Sequence, residues 1–173
     1  MKLIESLTLI DTAIQADYPY SIRTFGLCYL QEKDGKTAPL QNLGGAQGKR
    51  VQWDDTDALR TYHRILSSNE ITDPSAGFGK SPRKFTIFQM RLVGIGTRKL
   101  LTTQDYEQNQ EVCQDIKNLI PVWLAPACVA TVNESEVNKL TVYESEFAGL
   151  DMKKLSLEGV AFWINYELKL INC

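Results

Sequence analysis

"GVAFWINYELKLI", residues 159–171, alternates more strictly than any other stretch of the chain. Phe162, Ile164, Tyr166, Leu168 and Leu170 point one way, and Trp163, Asn165, Glu167 and Lys169 the other. A period of two is that of a strand, here with a core face and a polar face headed by a tryptophan. Upstream, "KLTVYESEF" (139–147) and "CVATVN" (128–133) also read as strands. These final strands are too closely spaced for helical crossovers, so antiparallel pairing of neighbours is expected.

Further back the period changes. "TTQDYEQNQEVCQDIKNLIP" (102–121) sets Val112, Ile116 and Leu119 at helical spacing, and Pro121 ends the helix. "RKFTIFQMRLVGIG" (83–96) is rich in aromatic and β-branched residues, a long strand. "SIRTFGLCYLQEKDGKT" (21–37) is another strand, running into a turn at Asp34-Gly35. Before it, Leu3, Leu7, Ile10 and Ile14 line one face of an amphipathic helix over residues 3–16, with Glu5, Thr8, Asp11 and Gln15 opposite. The expected fold is α+β: a mostly antiparallel sheet with two helices on one face, in a single domain spanning 1–173.

Residues 37–82 break the pattern. Pro39, Gly44, Gly45, Gly48, Pro74, Gly77, Gly79 and Pro82 punctuate them, and the reading is a long glycine-rich loop insertion, an arm on the domain. Within it, Asp54 to Asp57 resembles a helix start, while "TYHRILSSNEIT" (61–72) fits a helix or a strand equally well.

The arm also holds the chain's most suggestive motif, Gly79-Lys80-Ser81. A phosphate-binding loop needs a glycine five residues earlier and a helix directly after. Pro74 stands at the first position, and Pro82 with a strand follows, so the backbone amides cannot converge on a phosphate. Gly94-x-Gly96 fails as a dinucleotide fingerprint, because residue 99 is lysine, and reads as a bulge or bend. His63 is the only histidine, which excludes multi-histidine metal sites, and it reads as a polar surface or loop residue. No catalytic, cofactor-binding or metal-ligating residue emerges. The enzymatic alternatives are a pairing of His63 with Cys28, Cys113 or Cys128, or an acid pair such as Glu144 and Glu146 on one strand face, with Glu134 and Glu136 a similar group.

The totals narrow the class. Hydrophobic residues make up 43% and charged residues 23% of the 173, so the chain can build a core. A net charge of −2 with interspersed signs argues against specific nucleic-acid recognition. Glu5, Asp11 and Asp17 interrupt any signal peptide, and no apolar run suits a membrane span, so the expected setting is the cytoplasm or a particle assembled there.

A helix at Leu3–Ile14, a long strand at 83–95, a central helix at 105–119 and a closing "EGVAFWINYELKL" resemble, in that order, the tail-terminator and head–tail neck ring proteins of tailed bacteriophages. The phrase "TVYESEFAGLDMKKLSLEGVAFWINYEL" suits the same group. The likeness lies in the order of elements over about two thirds of the length and includes no diagnostic motif. It implies a structural virion protein without catalysis or cofactor, self-associating into a ring and meeting neighbouring neck or tail proteins. Contacts would then come from Gly44, Gly45, Lys49, Arg50, Trp53, Gly77, Phe78, Lys80, Arg83 and Trp163, with Trp123 a further aromatic anchor. Trp163 suits packing within its own chain equally, and the basic runs suit mere solubility. The competing reading is a monomeric bacterial adaptor or binding domain.

Overall fold

The computed structural model describes residues 3–42, 48–51, 56–73, 83–97, 100–101, 109–125, 128–148 and 159–172. The elements run α1 (Leu3–Asp17), β1 (Ile22–Lys33), β2 (Lys36–Gln41), β3 (Leu59–Asp73), β4 (Arg83–Thr97), α2 (Asn109–Leu119), β5 (Trp123–Ala125), β6 (Cys128–Glu136), α3 (Lys139–Glu146) and β7 (Gly159–Asn172). The fold is α+β, as expected. One sheet of order β2-β1-β3-β4-β7-β6-β5 carries it, antiparallel throughout except where β1 meets β3.

The alternation of β7 divides the core into two layers. Phe162, Ile164, Tyr166, Leu168 and Leu170 pack with Leu7, Ile10 and Ile14 of α1 and with Val112 and Ile116 of α2. Each such fully buried apolar side chain contributes about 1.5–3 kcal/mol, so this layer dominates stability. Ala161 and Trp163 face the other way, joining Tyr62, Val93 and Ile95 beneath Val142, Tyr143 and Phe147. The two expected helices therefore share one face, and a third, α3, covers the other.

That third helix corrects the reading of "KLTVYESEF" as a strand. Asn138 caps it, its side chain accepting the N–H groups of Leu140 and Thr141. Val142 and Glu146, one turn apart, then bury on the same side together with Tyr143. A strand would have turned Tyr143 away from Val142.

The reading of 37–82 as a loop insertion needs correcting too, since the sheet takes β2 and the fifteen-residue β3 from it. The ambiguous "TYHRILSSNEIT" is extended: β3 pairs with β4 along its whole length, through one irregularity between Ile65 and Ser67. Asp57 starts no helix. It precedes the strand and accepts from Arg60 at 2.9 Å.

Gly94 and Gly96 mark no bulge, because the β4–β7 register is unbroken there. They clear space instead. A Cβ on Gly94 would lie 2.3 Å from the Phe162 ring, and one on Gly96 would lie 2.1 Å from the Ala58 carbonyl oxygen. The Asp34-Gly35 turn is as expected, with both residues at positive φ (55° and 69°), as a two-residue hairpin between right-twisted strands requires.

Candidate functional site

Two polar networks cross the core, one in each layer. On the α1 side, β3 points Leu59 and His63 at the helix. His63 Nε2 lies 3.1 Å from Asp11 Oδ1, and its Nδ1 lies 2.7 Å from the Tyr166 hydroxyl of β7. Asp11 accepts from Nε2–H, and Nδ1 shares the second hydrogen bond with the Tyr166 hydroxyl. His63 and Tyr166 are fully enclosed, and Asp11 nearly so. His63 is therefore no surface or loop residue, and Asp11, expected on the polar face of α1, turns inward to meet it. Asp11 also borders a groove of about 340 Å³ between α1 and β1, which Ile4, Thr8, Gln15, Gly26 and Asn42 help to line.

On the α3 side, the network centres on Glu146. Its carboxylate accepts from Tyr62 Oη at 3.0 Å, from Arg64, and from Arg91 Nη1 at 3.4 Å. Arg91 also donates through Nε to Asn165 at 3.0 Å, and its guanidinium lies 4.0 Å from the centre of the Trp163 ring. Burial, reinforced by the carboxylate of Glu146, holds the Tyr62 phenol well above its ordinary value. Glu144 and Glu146 do not form a same-face carboxylate pair, because on a helix they diverge: Glu144 is exposed and Glu146 buried.

Cys28 and Cys113 are free, buried thiols. Desolvation, with Asp11 adding to it, pushes Cys28 up to about 12, and desolvation pushes Cys113 up to about 11. Both ring nitrogens of His63 are engaged by Asp11 and Tyr166, so the alternative Cys–His pairings with Cys28 and Cys113 do not form. The side chain of Cys128 lies outside the described residues. Among the described residues no three of His, Cys, Asp and Glu gather to hold a metal ion.

Raised thiol values have a direct consequence. Unfolding lets each thiol ionise near its ordinary value of 9.0, while the folded protein keeps the proton to about 12 and about 11. The stability from these buried neutral thiols is complete below about pH 9 and is lost as pH rises toward the folded values. The urea midpoint is expected to fall from pH 9 to pH 11. That fall should be smaller in a Cys28→Ala, Cys113→Ala variant, and an equal fall would refute the assignment.

Of the expected contact residues, Gly44, Gly45, Trp53, Gly77, Phe78 and Lys80 lie outside the described residues. Arg83 opens β4 at the register position opposite Asp73. Lys49 and Arg50 are exposed beside the outer edge of β2: Gln41 N donates to Lys49 O, Val51 N donates to Pro39 O, and Arg50 bridges Leu40. That short run covers the β2 edge. Trp163 is half-buried under Arg91 against the α3 layer, the intramolecular one of its two expected placements.

Two further features went unread. From Ile65 to Thr72 every residue of β3 is exposed, and at the opposite side of the sheet the short β5 leaves Val122 and Trp123 63% and 69% exposed. The strand that carries Trp123 leaves no signal in the sequence, since three residues between Pro121 and Pro126 show no period. Among the described residues no helix is long and apolar enough to cross a membrane. No known family model matches the chain, and no curated protein matches it either.

Proposed function

We propose that this chain is a structural virion protein of a tailed bacteriophage, a protomer that closes into a ring at the neck or tail end and serves head–tail joining or tail termination. Neighbouring neck or tail proteins are its other partners, and catalysis has no part in its role. The order of elements supports this: an amphipathic first helix, a long strand, a central helix and an aromatic closing strand.

One observation carries the reading toward assembly. The outer half of β3 exposes Ile65, Leu66 and Ile71 along an edge that, among the described residues, no strand pairs. Between Ile65 and Asp73 it carries no lysine or proline, two of the devices that keep a bare edge from pairing; its one charge before Asp73 is Glu70, and its one irregularity lies at Ile65–Ser67. An edge left so open is suited to a neighbour.

Native mass measured by light scattering after size exclusion, over a hundredfold concentration range, tests the proposal. The expected species is a closed multiple of the 19.5 kDa chain, visible as rings by negative-stain imaging. A mass of one chain at every concentration would favour the adaptor reading instead.

A further inference from the structure

The strand registers, taken together, carry an inference that rests on this ring reading and gives it a specific contact. Asn69 of β3 pairs with Ile87 of β4, Ile87 with Lys169 of β7, Lys169 with Val129 of β6, and Val129 with Trp123 of β5. One row of five strands thus runs from the bare half of β3 to β5, and both ends of that row are unpaired among the described residues. The other half of the sheet is different. There β1 pairs β3 over Ile22 to Leu27, and the 48–51 segment covers β2. The open edges therefore lie level with each other, on opposite sides of the molecule, where one copy cannot join them.

Three antiparallel steps separate β3 from β6 and a fourth reaches β5, so β3 and β5 run in the same direction. We infer that the occupant of the bare β3 edge is β5 of a second copy, added as a parallel strand, so that the sheet continues from protomer to protomer. The contact is heterologous and propagates by rotation about an axis along the strands, which closes into a ring when the copies do not rise along it. Without rise, the levels within one copy are also the levels between copies: Trp123 of one lies beside Asn69 of the next, and Val122 beside Ser68. Main-chain hydrogen bonds supply the pairing, and the exposed Val122 and Trp123 supply the apolar anchor opposite a strand exposing Ile65, Leu66 and Ile71. Glu70 is the one charge between Ile65 and Thr72, and no charged residue stands among Val122, Trp123 and Leu124 to oppose it.

Cysteine pairing tests the register. Ser68→Cys and Val122→Cys are made separately in a Cys173→Ser background, assembled singly and as a mixture, and mildly oxidised. A disulfide-linked dimer is expected in the mixture and in neither variant alone, and the doubly substituted chain should give a ladder of linked copies. Linkage of Ser68→Cys with itself would mean two-fold pairing and overturn the proposal. An assembled mixture that does not link overturns the contact and leaves the ring reading standing, whereas a parent chain that is monomeric throughout overturns the ring reading itself. Independently, Trp123→Glu should weaken assembly by at least about tenfold. Leu140→Glu, exposed on α3, should leave assembly unchanged. Equal effects of the two would overturn the proposal.

Discussion

Replacing Glu146 with alanine is expected to remove about 3–5 kcal/mol of unfolding free energy, the cost of breaking a buried ion pair from one side. The carboxylate is fully enclosed, and the side chains of Arg64 and Arg91 are exposed by only 19% and 16%. Without Glu146 two guanidinium groups face each other across β3 and β4, and the Tyr62 hydroxyl loses its acceptor. Part of the arginine charge can turn toward solvent, which holds the loss near the lower end. Glu146→Gln keeps the volume and an acceptor for Tyr62 while removing the charge, so it should cost less, about 1–3 kcal/mol. Urea unfolding followed by circular dichroism measures both. A loss below about 1 kcal/mol for the alanine variant would mean that the network is solvated and does not tie α3 to the sheet.

The same residue shows where reading the chain stopped. β7, β4 and α1 were legible because burial on one face imposes a period, and a period survives in sequence whatever the partner. The segment 139–147 misled because Val142, Tyr143 and Phe147 are β-formers by propensity, and its helix is decided by a cap at Asn138 and by burial of Glu146, a residue type that reads as exposed. His63 misled in the same way: a histidine between tyrosine and arginine reads as surface until Asp11 and Tyr166, 52 and 103 positions away, converge on it. The candidate contact edges were hidden for a further reason. A strand edge is defined by what fails to pair with it, and the polar "SSNE" of β3 looks alike in a loop, a solvated strand or an interface. Only the register through five strands places Asn69 and Trp123 on one level.

His63→Ala is expected to cost about as much as the loss of Glu146, roughly 3–5 kcal/mol, through a different term. The substitution opens a cavity and takes from two buried polar groups, Asp11 and the Tyr166 hydroxyl, the partner they share, each lost bond costing about 1–3 kcal/mol. Tyr166→Phe removes one bond and leaves His63 held by Asp11, so about 1–2 kcal/mol is expected there. The distribution of the damage is more informative than its size. Asp11 ties α1 to His63 by a hydrogen bond, whereas β4 and β7 pair over fourteen consecutive rungs that the substitution does not touch. Amide exchange in His63→Ala should therefore quicken most in α1 and least in β4 and β7. Uniform quickening would mean that the histidine supports the sheet as a whole and not the docking of the helix. Since neither bare edge includes α1, the variant should still assemble at temperatures where it is folded, whereas Trp123→Glu should keep its unfolding midpoint and lose assembly. Stability and assembly then separate onto different residues, as they must if the polar networks hold the protomer together and the strand edges join it to the next.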